Sequence, residues 1–148
     1  MKTILYLIST LIFAILTTLS NGNEKKNEHV NVEIKFNKKQ LKAGDTAQLT
    51  VKFIPKRGIY INANPPIDLK IDSSDTIIVK SKPEIPSSGK SDYFDVTKSI
   101  KQSFTLSKKL KTGTVSLRGT LTYFYCSNTD GWCRKYKHPI DMKIKIIK

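Results

Sequence analysis

The sequence predicts an all-β protein folded as an antiparallel β-sandwich. Apolar and polar side chains alternate in several short segments, which is the period of a half-buried strand. Turns that contain glycine or proline separate these segments, and no stretch shows sustained helical periodicity. About seven to nine short strands at this spacing favour a sandwich, with a small closed barrel as the alternative.

The strands can be placed one after another along the chain. The alternation begins at Val30 and resumes after a turn at 42–45. Two consecutive prolines, Pro65 and Pro66, exclude a central strand there, and the irregular stretch 83–94 is predicted as a long surface loop. The predicted strands cover 30–36, 47–53, 59–61, 67–71, 77–79, 100–106, 115–126 and 140–146. Their number and spacing are typical of an immunoglobulin-like antiparallel β-sandwich, here with a disulfide-bearing hairpin near its end.

The first residues predict export. A positive charge at Lys2 precedes an almost wholly apolar run at 4–16, which is the pattern of a signal peptide. We interpret 1–22 as the signal, 23–29 as a flexible lead and 30–148 as one domain. The protein would then be periplasmic or secreted. An uncleaved anchor is the alternative, and only in that case do we expect contact with a membrane.

The charge of the chain is strongly positive. Its 26 basic and 12 acidic side chains give a formal net charge of +14. Lysines alternate with apolar residues, as in 143–146, which is the pattern of a solvated sheet face. An exported chain rarely meets nucleic acid, so we expect no nucleic-acid partner, and an acidic partner or anionic surface is a lesser alternative. No Ser/His/Asp set, paired carboxylates or phosphate loop stands out, and we expect no cofactor.

The chain has two cysteines, Cys126 and Cys133, and an oxidising compartment favours a disulfide between them. The dipeptide Asp130-Gly131 is a turn signal, so the bridge is expected to staple the tip of a β-hairpin. Closing a loop of roughly eight residues stabilises a fold by about 2.5 kcal/mol in the chain-entropy estimate. Spacing alone therefore leaves a structural bridge and a redox-active pair equally open.

The residues around the pair favour redox chemistry slightly. Arg134 and Lys135 follow Cys133 and would stabilise its thiolate, whereas Cys126 follows three aromatic residues in a strand. Thiol-disulfide exchange uses this asymmetry, because one sulfur must be attacked and the other must leave. Metal capture by the two cysteines with His138 is a much weaker hypothesis, and we expect no metal.

Three segments carry a resemblance to a known family. They are Leu117-Arg118-Gly119-Thr120-Leu121-Thr122-Tyr123-Phe124-Tyr125-Cys126 with Cys133 beyond it, Gly58-Ile59-Tyr60-Ile61-Asn62-Ala63, and Gly89-Lys90-Ser91-Asp92-Tyr93-Phe94. Together they resemble the N-terminal periplasmic domain of the thiol:disulfide interchange protein DsbD, over most of the chain after the signal. The spacing C-x6-C departs from the shorter spacing of familiar members, and Arg134 to His138 stand where those members have a proline-containing segment.

The resemblance implies an immunoglobulin-like sandwich whose cysteine pair shuttles between disulfide and dithiol. The pair would take electrons from a thioredoxin-like donor domain and pass them to oxidised periplasmic client proteins. Cys133 would form the mixed disulfide. The chain stops at Lys148, at the close of the last predicted strand, so we expect the donor to be a separate protein. We also expect a monomer.

The resemblance also implies a cap loop that shields the pair. The loop that ends in Asp92, Tyr93 and Phe94 occupies the matching place, with one of the two aromatic rings as the shield and Tyr60 near the pair. If the protein is an enzyme, it would be a protein-disulfide reductase component of a thiol:disulfide interchange system. The alternative is a secreted immunoglobulin-like interaction module in which the disulfide is only structural. Trp132, between the cysteines, would be either a partner contact or hairpin packing.

Overall fold

The computed structural model describes residues 26–148. The predicted signal peptide and the first residues of the predicted lead lie outside the described residues. The described part of the chain consists of nine strands and their connections. It has no helix long and apolar enough to cross a membrane.

The strands lie close to the positions that alternation predicts. Their bounds are β1 (Val30–Phe36), β2 (Leu41–Lys42), β3 (Thr46–Pro55), β4 (Ile59–Ile61), β5 (Asp68–Ile71), β6 (Ile77–Ile78), β7 (Ile100–Leu106), β8 (Gly113–Ser127) and β9 (Trp132–Ile147).

The strands form two sheets, which confirms the predicted immunoglobulin-like sandwich. One sheet has the order β1-β3-β7-β6, and the other has the order β2-β9-β8-β4 with β5 also paired to β8. All pairs are antiparallel except β2 with β9. The β8–β9 pair is the longest ladder and runs without a break from Gly113↔Ile146 to Ser127↔Trp132.

The core lies between the two sheets. Leu49, Val51 and Phe53 of β3 are fully buried, as are Leu121 and Tyr123 of β8. The rings of Phe53 and Tyr123 meet edge to face across the sandwich with their centroids 4.9 Å apart. Because successive side chains of a strand point to opposite faces, the odd-numbered residues of β8 face the core. Its even-numbered residues lie on the opposite side, which we call the outer face.

Two features of the second sheet differ from the prediction. The last strand begins at Trp132, not near Ile140, so Cys133 lies inside a strand. The core-facing side of this first half carries the polar or aromatic residues Arg134, Tyr136 and His138, and the apolar alternation is therefore lost. The two-residue strand β2 was also missed, because it pairs in parallel with the distant chain end at Ile146 and Ile147.

Residues 26–29, predicted as part of a flexible lead, contact the sandwich through Asn27. Its Oδ1 accepts hydrogen bonds from the backbone N–H groups of His29 and Val30 at 2.9 and 3.2 Å. Its Nδ2 donates to the hydroxyl of Tyr123 at 2.9 Å. Burial raises the pKa of this tyrosine well above its ordinary range, so the hydroxyl stays protonated and available as a buried polar anchor for the lead.

Candidate functional site

The two cysteines face each other where β8 ends and β9 begins. Cys126 pairs directly with Cys133 in the ladder, their Cα atoms are 4.1 Å apart, and the sulfurs form a disulfide of 2.03 Å. The backbone carbonyl of Phe124 points away from β9 and accepts a hydrogen bond from the backbone N–H of Asn62, next to β4. Backbone N–H and C=O groups alternate between the two sides of a strand, so those of Cys126, two residues on, also point away from β9. The cysteines thus occupy the closely spaced, non-hydrogen-bonded kind of antiparallel pair, and the predicted disulfide is confirmed.

The hairpin tip is fixed by its own hydrogen bonds. The backbone N–H of Gly131 donates to the carbonyl of Ser127 at 3.0 Å. The hydroxyl of Ser127 donates to Asp130 Oδ2 at 2.8 Å and accepts from the Asp130 N–H at 3.2 Å. Gly131 has a φ of +68°, the left-handed conformation that glycine adopts without strain. The predicted Asp-Gly turn is therefore present, and it sets Cys133 opposite Cys126.

The two cysteines differ in exposure. Cys126 is 7% exposed, whereas Cys133 belongs to the exposed residues. Cys126 is the inner of the two because β4 flanks it on one side and β9 on the other, and Tyr60 of β4 pairs with it directly. Cys133 lies on β9, whose edge away from β8 has no partner strand until Ile146, where β2 pairs with it. Cys133 is thus the more exposed cysteine of the bridge.

Two tyrosines extend over the outer face beside the disulfide. The rings of Tyr60 and Tyr93 lie with their centroids 5.1 Å apart, and the Tyr93 hydroxyl donates to Asn128 Oδ1 at 3.4 Å. Both rings remain partly accessible, at 41% for Tyr60 and 37% for Tyr93. Exposed aromatic rings of this size are common anchors for protein partners, and here they border a disulfide.

The predicted cap loop is held against β4, but its two aromatic residues separate. The backbone N–H of Ala63 donates to the carbonyl of Asp92, and that of Phe94 donates to the carbonyl of Ile61, both at 2.8 Å. Tyr93 lies between these bonds and joins Tyr60 on the outer face. Phe94 points the other way, because side chains alternate along an extended segment. Its ring is buried in the core against Phe53, with centroids 5.8 Å apart, so Tyr93 is the shielding candidate of the two.

The side chain of Asn62 contacts the inner sulfur. Its Oδ1 lies 3.1 Å from Cys126 Sγ, and its backbone pairs with Tyr93 in an isolated bridge. A carboxamide is a hydrogen-bond acceptor through its oxygen and a donor through its nitrogen. The Asn62 side chain can therefore accept a hydrogen bond from a Cys126 thiol. With its amide rotated, it can donate one to a Cys126 thiolate. Asn62 was not among the predicted site residues, although its spacing of two from Tyr60 puts both side chains on one face.

The two predicted thiolate-stabilising cations lie on opposite faces of β9. Lys135 shares the outer face with Cys133, and its Nζ lies 5.6 Å from the ring centroid of Phe124. Arg134 points to the other face, where its guanidinium lies 4.7 Å from the ring centroid of Trp132. Strand alternation is the reason, since adjacent residues cannot share a face. Of the two, only Lys135 lies on the same face as the Cys133 side chain.

The far side of the hairpin tip is a packing cluster. Trp132 meets Tyr125 edge to face at 5.7 Å and His29 at 5.0 Å, and Arg134 covers it. Trp132 thus serves hairpin packing, one of the two roles left open for it.

His138 lies far from the two cysteines. It pairs with Leu121, five positions along β9 from Cys133 and on the opposite face. At about 3.3 Å per residue this separation is roughly 17 Å, so His138 cannot join the two cysteines around one metal ion.

The disulfide thus joins one exposed and one buried cysteine, and two tyrosines, an asparagine and a lysine lie around it. Comparison with protein-family models and with curated proteins found no match to this chain. Its function is therefore inferred from the geometry of this site.

Proposed function

We propose that this protein is an exported thiol-disulfide exchange module that relays electrons through Cys126 and Cys133. A thioredoxin-like protein would supply the electrons, and oxidised periplasmic proteins would receive them. The observation that carries the proposal is the unequal exposure of the two cysteines of one disulfide. Exchange needs one sulfur open to attack and the other able to leave, and an exposed Cys133 beside a buried Cys126 supports these roles.

Reduction of the module takes two thiols of the donor. A donor thiolate attacks Cys133 Sγ, the bond between the two cysteine sulfurs breaks, and Cys126 leaves as a thiolate that takes up a proton. The second donor thiol, as its thiolate, then attacks the donor sulfur of the mixed disulfide and releases Cys133. The donor ends as a disulfide, and the module has gained two electrons and two protons.

Reduction of a client reverses these roles. The Cys133 thiolate attacks a client disulfide and forms a mixed disulfide, and one client sulfur leaves as a thiol. Cys126 then attacks Cys133 Sγ, which releases the second client thiol and restores the bridge. Cys126 is well placed as this resolving cysteine, because it lies directly opposite Cys133 in the ladder.

The neighbours of the pair support these steps in different ways. Tyr60 pairs directly with Cys126 in the ladder and its ring packs against that of Tyr93, so the two rings would direct attack to Cys133. Lys135 is the cation on the outer face nearest in sequence to Cys133, and a nearby positive charge lowers the pKa of a thiol. Asn62 provides a polar partner for Cys126 when that sulfur leaves.

The alternative function is a secreted immunoglobulin-like interaction module with a purely structural bridge. The exposed pair Tyr60 and Tyr93 favours it, because these rings would form a binding surface without any chemistry at the sulfurs. The two functions differ in one respect that can be measured, namely whether the bridge opens in the folded protein.

Reduction under native conditions tests the proposal. The oxidised protein is mixed with reduced thioredoxin as the probe, free thiols are alkylated, and their number is read by mass spectrometry. We expect both cysteines to be alkylated within minutes. A bridge that opens only after the protein is unfolded by denaturant would contradict the proposal and favour the structural alternative.

Single-cysteine variants test the assigned direction of attack. Cys126→Ala leaves only the exposed thiol, and Cys133→Ala leaves only the covered one. With an aromatic disulfide reagent such as DTNB, we expect the Cys133 thiol to react at least about tenfold faster, because thiol reactivity follows thiolate character and access. Equal rates, or a faster Cys126, would contradict the assignment of Cys133 as the attacked sulfur.

A further inference from the structure

A row of four lysines runs along the outer face of β9 from the disulfide to the far end of the strand. Lys135 and Lys137 form the near pair, and Lys143 and Lys145 form the far pair. All four are exposed, and they face Phe124, Thr122, Ser116 and Thr114 on β8. Cys133 is in line with them, so the attacked sulfur stands at one end of a positively charged row.

The near pair has no ion-pair partner among residues 26–148. Elsewhere on the same face, Lys70 pairs with Asp68 at 3.0 Å and Arg118 lies 3.9 Å from Asp141. The Nζ of Lys135 is instead placed over an aromatic ring, that of Phe124. The sheet therefore neutralises its middle section and leaves positive charge next to the disulfide.

The acidic residue nearest in sequence to the near pair is Asp141, four positions beyond Lys137, and Arg118 lies 3.9 Å from it. The next nearest, Asp130, lies on the other side of Cys133, in the hairpin turn. Its carboxylate accepts the hydroxyl hydrogen of Ser127, and it is separated from the near pair by the cysteine itself. A molecule that approaches Cys133 from the sheet side meets Lys135 at about 7 Å along the strand and Lys137 at about 13 Å, at roughly 3.3 Å per residue.

We propose that the thiol partner of this site is an acidic one, with carboxylates that border its reactive cysteine and face Lys135 and Lys137. The inference rests on the proposed function and adds the charge of the partner to it. The aromatic surface of Tyr60 and Tyr93 supplies the apolar part of the same contact. Complementary charge at an interface raises the rate of association and selects among partners, and salt weakens this effect.

The experiment compares small thiols of different charge as probes. Glutathione is anionic, cysteamine is cationic and 2-mercaptoethanol is neutral. Each is added to the oxidised protein, and the second-order rate of disulfide opening is measured at low and high ionic strength. In each case a thiolate attacks Cys133, Cys126 leaves, and a second probe molecule completes the reduction to the dithiol.

The informative quantity is the ratio of the glutathione rate to the cysteamine rate. We expect Lys135→Glu with Lys137→Glu to lower this ratio roughly fivefold or more at low ionic strength, because like charges now repel the anionic probe. Any change in the leaving ability of Cys126 or in the reactivity of Cys133 affects both probes alike and cancels in the ratio. The difference between variant and wild type should shrink at high ionic strength.

The matched control is Lys143→Glu with Lys145→Glu. It changes the total charge by the same amount on the same strand and face, but it lies about 33 Å or more from Cys133 at roughly 3.3 Å per residue, which exceeds the Debye length of about 30 Å even at an ionic strength of about 0.01 M. We expect its rate ratio to match that of the wild type. Equal losses in the two variants would point to a general positive field, as on a surface that binds anionic membranes or polymers, and would overturn the proposal.

The outcomes separate this inference from the proposed function. If all three probes open the bridge with a rate ratio that the near-pair variant leaves unchanged, the acidic partner is excluded and the exchange function stands. If none of the probes, the neutral one included, opens the bridge in the folded protein, the exchange function fails and the inference fails with it.

Discussion

At the scale of single residues, the site is defined by how differently its two sulfurs are surrounded. Cys133 is open to solvent, while Cys126 is covered by β4 and touches the carboxamide of Asn62 at 3.1 Å. In the dithiol state this carboxamide oxygen can accept a hydrogen bond from the Cys126 thiol. Such a bond exists only after reduction and therefore favours the reduced form.

Asn62→Leu tests this contribution. The variant removes the acceptor at nearly constant size, and a hydrogen bond of this kind contributes about 1 kcal/mol. We expect the equilibrium with a glutathione redox buffer to shift about fivefold toward the disulfide, since 1.36 kcal/mol corresponds to a factor of ten.

Asn62→Asp is the matched variant because it keeps an acceptor oxygen at the same place. We expect its equilibrium to stay at the wild-type position or to move toward the dithiol. Both equilibria are read from the alkylated fraction at pH 7. Equal shifts toward the disulfide in both variants would mean that Asn62 acts only through packing.

At the scale of elements, the β8–β9 hairpin carries the site and β5 braces it from the side. Gly119 of β8 pairs with Ile71 of β5. A Cβ atom at Gly119 would collide with the backbone carbonyl of Lys70 and lie 2.9 Å from Ile71 Cδ1. The backbone conformation of Gly119 is open to other residues, so the requirement for glycine comes from this close approach.

Gly119→Ala is expected to destabilise the protein by roughly 2 kcal/mol, the usual cost of overpacking a filled interior. The control is Thr114→Ala on the same strand, an exposed position at its start, with an expected change within about 0.5 kcal/mol. Urea unfolding followed by tryptophan fluorescence measures both. A free energy of unfolding for Gly119→Ala within error of the wild type would show that β5 is free to move away from β8.

Strands with one apolar and one solvent-facing side were predictable from the sequence, as β1 and β7 show. The first half of β9 was not found, because its inward side carries Arg134, Tyr136 and His138. Pro139 looks like a break, but it sits on the weakly paired edge of the sheet, where a missing N–H is tolerated.

The candidate site was predictable to a similar degree. The cysteine pair follows from the sequence itself, whereas Tyr60 and Tyr93 were expected only from the family resemblance, and the structure brings all of them together. The contact between Asn62 and Cys126 joins residues 64 positions apart, and no local pattern contains such a pairing. The separation of Arg134 from Lys135 follows from alternation, but only once the strand is known to begin at Trp132.

At the scale of the whole molecule, the disulfide lies outside the core. The buried cluster between the sheets draws residues from all nine strands, most of them from β3, β7, β8 and β9, and the bridge is attached to the outer face of one of the two sheets. The fold therefore has its own source of stability, and the sulfurs can change redox state without the core being opened.

The double variant Cys126→Ala with Cys133→Ala tests this independence. We expect it to fold with the same circular dichroism spectrum and to lose about 2.5 kcal/mol of stability, the chain-entropy value for so short a loop. Chemical denaturation gives the free energy. A variant that is unfolded in buffer would mean that the bridge is an essential part of the fold, which a shuttling disulfide cannot be.

The reduction potential of the Cys126–Cys133 couple in the folded protein tests the central claim most directly. It is measured by equilibration with thiol redox buffers and quantification of the alkylated dithiol. Structural disulfides of exported proteins typically have potentials below about −300 mV, and accessible exchange disulfides have higher ones. We expect a value clearly above about −300 mV, and a value well below it would contradict the exchange function and identify the bridge as structural.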